Sequence, residues 1–222
     1  MKKLLLTTAF VILGIISSNA QVWIGVSGNY NTGKPKNKFV NLNNSDFRIK
    51  HHTFYSAIPE IGYSFKNAPI SLGFAFQYQY EKNKLYDGRN DFHYDGYSSN
   101  KTYIISPYLR FNVCSIEKFT FFLDCAFDYI SIKKDASVTQ HSPWSTYNRV
   151  SFHEKNKGWQ TGIKPGIAFH PTKRWTAVFH YGFIGYGTTF LKNVDSSANP
   201  EGAGFNIDFS SKIATFGLYY NF

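Results

Sequence analysis

Hydrophobic and polar residues alternate with a period of two along most of the chain. In the segment Ile70–Glu81 every even position is aliphatic or aromatic, whereas every odd position is Ser, Gly, Ala, Gln or Glu. This alternation is typical of a β-strand with one apolar and one polar face. The pattern recurs along the chain and predicts eight strands, at 22–30, 53–65, 70–81, 101–113, 119–132, 159–170, 175–183 and 214–222.

The connections between the predicted strands alternate between short and long. The short ones are expected to be tight turns, at 66–69, 115–118 and 171–174. The long ones are rich in Asn, Ser, Gly and Lys and are expected to be loops, at 31–52, 82–100, 133–158 and about 187–204. The short turns and both termini therefore fall at one end, and the loops fall at the other. We predict an all-β, even-stranded antiparallel meander.

Three prolines occupy similar positions on alternate strands. Pro59, Pro107 and Pro165 lie on the second, fourth and sixth predicted strands, each a few residues before a short turn. Proline within a paired strand removes one ladder hydrogen bond and is normally an edge or bulge residue. Three prolines at one level predict a repeated bulge or bend around a closed structure.

The face that points outward decides the class of barrel. A soluble barrel of the lipocalin type also has eight alternating strands, but its apolar face points inward. Here the polar face consists mainly of small residues with few charges, as expected of an interior just wide enough for side chains. The apolar face matches the ~9–11 residues of a tilted membrane strand. We therefore predict an eight-stranded antiparallel up-and-down transmembrane β-barrel.

Eight ionisable residues fall on the predicted inward face. We expect them to form a mutually neutralising polar network in the lumen, because an unpaired charge there is costly. The predicted network consists of Glu60, Glu81, Arg110, Asp124, Asp128, Lys164, His180 and Lys212. Eight strands leave almost no aqueous channel once side chains fill the interior. The lumen is therefore expected to be closed or very narrow.

The composition fits this arrangement. Aromatic residues make up 19% of the 222 residues and charged residues only 17%, although the mean hydropathy is −0.30. One group of rings lies near the long loops: Tyr30, Tyr55, Tyr78, Tyr80, Tyr103, Tyr129, Trp159 and Tyr181. A second group lies near the short turns: Tyr63, Phe65, Phe111, Phe119, Phe169, Trp175, Tyr220 and Phe222. Two aromatic belts are typical of the two interfaces of a membrane.

Residues 1–20 have the pattern of a secretory signal peptide. A basic start precedes the apolar run Leu4–Ile16, which is shorter than the ~20 residues of a membrane-spanning helix. We expect cleavage between Ala20 and Gln21, which leaves residues 21–222 as an outer-membrane β-barrel domain. No cysteine directly follows the run, so a lipoprotein anchor is not indicated. Export also argues against a nucleic-acid partner for the net charge of +10.

The closing strand carries a resemblance to a known family. Leu218, Tyr220 and Phe222 lie on one face of the last strand, and Phe222 is the last residue of the sequence. Together with the signal peptide, this strand resembles the small outer-membrane β-barrel family, the porin-like barrel domains of the OmpA and OmpX type. The resemblance implies an outer-membrane location in a Gram-negative bacterium. It also implies that the three residues form the signal read by the outer-membrane assembly machinery.

The cysteines are not expected to pair. Cys114 lies at the lip of a predicted turn, and Cys125 lies about seven residues along the next strand, roughly 20 Å away. A disulfide cannot span that distance. We therefore expect two free thiols.

We interpret the chain as a non-enzymatic integral outer-membrane protein whose long loops serve surface interaction or envelope integrity. Two alternatives stay open: a small porin or channel, and an enzyme that modifies lipid A. We predict no catalytic, metal or cofactor site, because the histidines, including His51 and His52, match no triad or metal spacing. The basic segments 31–52 and 133–158 could contact lipopolysaccharide phosphates or an extracellular ligand. Outer-membrane lipids and lipopolysaccharide are the expected surroundings.

Overall fold

The computed structural model describes residues 20–35, 39–42, 45–66, 68–89, 92–142, 145–192, 203–211 and 213–222. These residues form eleven β-strands: β1 (Ala20–Gly33), β2 (Phe39–Leu42), β3 (Ser45–Phe65), β4 (Ile70–Arg89), β5 (Phe92–Ile116), β6 (Phe119–Ser142), β7 (Ser145–Phe169), β8 (Trp175–His180), β9 (Phe183–Lys192), β10 (Gly204–Asp208) and β11 (Thr215–Asn221). No helix among the described residues is long and apolar enough to cross a membrane.

Eight strands close into a ring in which every neighbour is antiparallel. The ring runs β1–β3–β4–β5–β6–β7–β8–β11 and returns to β1. β2 pairs with β3 outside the ring. β9 follows β8 along the chain and pairs with β7, and β10, which precedes β11, pairs with β9. The predicted all-β, eight-stranded up-and-down barrel is confirmed.

The two faces of the wall have the predicted polarity. Outward side chains such as Ile61, Phe74 and Phe127 are 51%, 46% and 48% exposed in the isolated chain. Their neighbours on the inward face, such as Glu60 and Ala75, are buried. A continuous apolar exterior of this kind is typical of a barrel that contacts lipid.

The prediction of irregular long loops is wrong for most of their length. The predicted loops 82–100 and 133–158 are paired strand wherever the structure describes them, so four strands continue far beyond the wall. We call the described residues of 82–100 and 133–158 the hairpin extension. A second buried cluster of Phe47, Ile49, Leu85 and Val138 packs inside it. The alternation is weaker there because both faces carry polar residues. A polar composition of this kind is also typical of loops, which is why the sequence predicts a loop.

The prolines act on one side of their strands only. Each stays opposite a residue of the preceding strand. At Pro59 and Pro107 the ladder to the following strand is interrupted without a shift of register. Pro165 lies where β7 changes its partner from β8 to β9, and the register shifts there. The predicted repeated bulge therefore occurs only at Pro165, whereas the other two prolines leave a gap because they lack an N–H donor.

The same interruption reverses the predicted direction of Phe183. Tyr181 and Gly182 separate β8 from β9, and Gly182 has a φ of 96°. Phe183, which the alternation placed on the outward face, is therefore turned inward and is 3% exposed. Ile184 and Tyr186 take the outward positions instead.

The first and last described strands, β1 and β11, pair with each other and close the ring. Ala20 and Gln21 begin β1, opposite Phe65 and Ser64 of β3. Residues 1–19 lie outside the described residues, so the signal peptide and its cleavage site stay predictions. Leu218 of β11 and Phe222, which directly follows β11, are 49% and 70% exposed on the outward side, and the Tyr220 ring contacts that of Phe222. The Phe222 N–H donates to the Val22 carbonyl.

Candidate functional site

Arg110 and Asp124 form a buried ion pair in the lower half of the lumen, which is the half nearer the short turns. β5 and β6 place them directly opposite each other. Arg110 Nε lies 2.8 Å from Asp124 Oδ1 and Nη2 lies 2.9 Å from Oδ2, so the guanidinium donates two parallel hydrogen bonds. His180 Nε2 lies 3.0 Å from the same Oδ2. This bidentate geometry is the strong form of an arginine–carboxylate pair.

Four aromatic side chains enclose the guanidinium of Arg110. Its Cζ lies 4.0 Å from the ring centre of Phe122. The rings of Trp23, Tyr108 and Tyr219 lie 5.5–5.6 Å away, and the first and last of these stack with centroids 4.7 Å apart. A desolvated cation on a ring face is stabilised by about 2 kcal/mol. We call the four rings and the ion pair the lumen plug.

Glycines on the neighbouring strands make room for these rings. A Cβ added at Gly62 would lie 2.1 Å from the Trp23 ring, and one at Gly73 would lie 2.3 Å from the Tyr108 ring. The inward rings were not predicted, because the inward face was characterised by its small and charged residues. Their parity, beside glycines on the next strand, is the signal that could have found them.

Asp128 and Lys164 form a second charged group higher in the lumen. Lys164 Nζ lies 3.0 and 2.9 Å from the two carboxylate oxygens of Asp128. Ser106 and Gln160 also donate to this carboxylate, the latter over 2.7 Å. Asp128 is 1% exposed, so these donors replace the water that the buried carboxylate has lost.

The other predicted network residues do not join these two groups. Glu60 accepts hydrogen bonds from Ser27 Oγ and Tyr108 Oη over 2.7 and 2.8 Å. Glu81 lies in the upper lumen, 3.4 Å from His52 Nδ1. Lys212 lies outside the described residues. The structure thus brings together Arg110, Asp124 and His180 in one group, and Asp128 and Lys164 in another.

The lumen plug separates two cavities. The upper one has a volume of about 350 Å³ and the lower one about 90 Å³. The upper cavity is less polar than predicted, since its lining includes seven large apolar side chains: Phe54, Ile58, Ile104, Ile130, Ile132, Phe183 and Ile213. In the lower cavity, His170 lies within hydrogen-bonding distance of Thr120 and Thr176. His170 lies in the turn after β7, and burial lowers its pKa below the usual value.

Lysines at the base of the hairpin extension form a row across adjacent strands. Lys101 lies opposite Lys133, Lys133 opposite Lys155, and Lys155 opposite Lys192. Tyr80 continues this row on the other side of Lys101. Like charges directly opposite each other destabilise a sheet. We call Lys101, Lys133 and Lys155 the lysine row.

The predicted basic segments are only partly described. Lys34, Arg48 and Lys50 are exposed. Lys36 and Lys38 lie outside the described residues. In 133–158, two acidic residues pair with neighbours: Glu154 lies 3.9 Å from Lys134, and Asp135 lies 2.8 Å from His153. Neither pair includes a member of the lysine row.

Both cysteines are free and exposed on the outer wall. Within the described part of the chain, no group of three or more His, Cys, Asp or Glu side chains could hold a metal ion. Of the predicted loop histidines, His52 Nδ1 contacts Asn83 Oδ1 over 2.8 Å.

Comparison with known proteins finds similarity in structure. No protein-family model matches the chain, and no curated protein matches it either. Neisserial surface protein A, NspA, is 12% identical with a TM-score of 0.31, over 92% of this chain and 98% of that chain. Ail, the attachment invasion locus protein of Yersinia pestis, is 12% identical with a TM-score of 0.34 over the same shares, 92% and 98%. The N-terminal β-barrel domain of Pseudomonas aeruginosa OprF is 11% identical with a TM-score of 0.30, again over 92% and 98%.

Proposed function

We propose that this chain is a non-enzymatic integral protein of a Gram-negative outer membrane, with a closed lumen and a hairpin extension that projects from the cell. The observation that carries the proposal is the outward apolar face, whose side chains are up to 70% exposed at Phe216 and Phe222. In water such a surface would drive aggregation, whereas in a bilayer it is the expected exterior. The two aromatic belts support the same orientation.

Closure of the lumen rests on the lumen plug. The Arg110 guanidinium pairs with Asp124 of the adjacent strand β6 and contacts the rings of Trp23 on β1 and Tyr219 on β11, across the ring of strands from β5. Among the described residues, His180 is the histidine that contacts the ion pair, and its Nε2 lies 3.0 Å from Asp124 Oδ2. These groups therefore have a sufficient structural role without a reaction or a conduction path.

Reconstitution in planar bilayers tests the closed lumen. The protein is expected to give no steady ion conductance above the bare bilayer. A steady conductance that Arg110→Ala alters would favour the channel alternative. A soluble periplasmic protein without a heat-dependent shift in gel mobility would contradict the membrane location itself.

We further infer that the lysine row contacts phosphate groups of outer-leaflet lipopolysaccharide. Neighbouring strands are about 4.8 Å apart, and two ammonium groups held at that separation would repel by about 0.9 kcal/mol even in water. The row follows directly on Tyr80, a residue of the aromatic belt near the long loops, which we call the upper aromatic belt. Its level is therefore close to the headgroups, and anionic groups there would relieve the repulsion.

The test compares two triple variants of equal charge change. Lys101→Glu/Lys133→Glu/Lys155→Glu is expected to weaken lipopolysaccharide binding by about 1 kcal/mol per lysine. The control is Lys66→Glu/Lys118→Glu/Lys173→Glu, which alters three exposed lysines of the short turns at the opposite end. The control should bind as the unaltered protein does. Equal loss in both variants would mean that net charge, and not the lysine row, attracts lipopolysaccharide.

A further inference from the structure

The barrel wall is interrupted between β1 and β10. β1 pairs with β11 only from Trp23 to Gly28, and its remaining residues 29–33 pair with β3 alone among the described residues. Within the described part of the chain, β10 pairs with β9 alone. Between β10 and β11, the described residues 209–211, 213 and 214 lie outside any ladder. Two strand edges therefore face each other without backbone pairing.

Side chains bridge this gap instead of a ladder. The Asn29 amide donates to the Ser211 carbonyl, and the Asn31 amide lies 3.1 Å from Ser211 Oγ. Unpaired strand edges do not occur in the hydrocarbon region of a membrane. Since Tyr30 of the upper aromatic belt lies between the two asparagines, the gap opens at the level of the lipid headgroups.

The upper lumen cavity reaches this gap from the inside. Its lining includes Asp208 of β10 and Ile213 on one side of the interruption, and Ser27 of β1, two residues before the unpaired part of that strand, on the other. Outside the gap, Phe205 and Ile207 of β10 are 68% and 57% exposed. The cavity, with its volume of about 350 Å³, lies within the usual range of small-molecule sites, about 300–1,000 Å³.

The lining of the cavity selects for a particular ligand chemistry. Its lining includes large aliphatic and aromatic side chains, such as Ile58, Ile104 and Phe183, beside polar ones such as Gln77 and Gln160. Glu60 also lines it, and this residue is 8% exposed with hydrogen bonds from Ser27 and Tyr108. No described Lys, Arg or His forms an ion pair with Glu60. A buried carboxylate without a cation is costly, so a positive group in the cavity would stabilise it.

We propose that the upper cavity binds an amphiphilic organic cation that enters from the lipid headgroup level through the gap between β1 and β10. The ammonium group lies against Glu60, and the hydrocarbon part lies against the apolar side chains of the cavity. This site goes beyond the proposed structural role, and the closed lumen plug beneath it forms its floor.

The binding test uses octyltrimethylammonium and the protein in nanodiscs of zwitterionic lipid. Isothermal titration calorimetry is expected to show binding above that of empty discs. Glu60→Gln should weaken binding at least tenfold but should leave binding of neutral octanol unchanged. The matched control, Glu154→Gln in the hairpin extension, should leave both affinities unchanged. Ile104→Trp, which fills the cavity, should abolish both.

Two results would overturn the proposal. The first is a protein disc that binds octyltrimethylammonium no better than an empty disc, whatever the variants do. The second is a Glu60→Gln protein that binds octanol and octyltrimethylammonium as tightly as the unaltered protein. The gap is tested separately by hydrogen exchange, in which the amides of residues 29–33 should exchange faster than those of residues 23–28. Equal protection of the two segments would contradict lateral entry.

Discussion

Arg110→Met is the substitution that tests the lumen plug most sharply. It removes the guanidinium and keeps an unbranched side chain of similar length. Asp124, which is 3% exposed, would then retain His180, 3.0 Å away, as its hydrogen-bond partner. Removing one partner of a buried ion pair costs about 3–5 kcal/mol. Loss of the contact with the Phe122 ring, 4.0 Å from the guanidinium carbon, acts in the same direction.

Urea unfolding of the protein refolded in lipid vesicles measures this effect, with heat-dependent gel mobility as the readout of the folded barrel. The free energy of unfolding should fall by at least about 3 kcal/mol. Arg174→Met, in the exposed turn before β8, serves as control and should change it by less than about 0.5 kcal/mol.

The double variant Arg110→Met/Asp124→Asn distinguishes the effect of an unpaired buried charge from the effect of changed side-chain volume. Because neutralising both partners leaves no unpaired charge, this variant should be more stable than Arg110→Met alone. A loss below about 1 kcal/mol in Arg110→Met, or a double variant as unstable as the sum of the single ones, would refute the account of the plug.

Three further predictions concern single positions. Gly62→Ala should destabilise the barrel by about 1–3 kcal/mol in urea unfolding, because its Cβ would lie 2.1 Å from the Trp23 ring, whereas Gly33→Ala has open space and should be neutral. Glu117→Gly should stabilise it by up to about 1 kcal/mol, since Glu117 has a φ of 52°; no gain would mean that the turn is not strained. Phe222→Ala should lower the amount of folded protein in outer membranes without changing refolding in vitro, and equal amounts in cells would exclude an assembly signal there.

The wall of the barrel could be predicted because the alternation of apolar and polar residues within each strand determines which side chains face outward. A one-residue shift would turn Ile61 and Phe74 into the lumen and Glu60 into lipid, so the alternation has only one acceptable register. The strands of the hairpin extension could not be predicted in this way. They have solvent on the outside and a partly polar interior, as at Asn83 and Ser98, so neither face is continuously apolar.

The candidate site could be predicted only in part, because a strand reports the direction of a side chain but not its partner. Arg110 and Asp124 meet directly, since they lie opposite each other across two strands. Glu60 instead bonds with hydroxyl groups, which depends on how Tyr108 turns within the lumen. Phe183 was misplaced because the two residues that interrupt β8 and β9 reverse the alternation, and no sequence pattern marked that interruption.

Cys125 offers the most direct test of the central claim that the apolar wall faces lipid. It lies on the outward face of β6, six residues after Phe119 and exposed between Leu123 and Phe127. That places it roughly 20 Å along the strand from the short turn, within the hydrocarbon layer of a bilayer about 30 Å thick.

The measurement is the labelling of Cys125 by a charged, membrane-impermeant maleimide in a Cys114→Ser variant. In the folded protein in its membrane, Cys125 should stay unlabelled, and unfolding in dodecyl sulfate should expose it to complete reaction. Rapid labelling of the folded protein, at the rate seen after unfolding, would show that the wall faces water and would contradict the account.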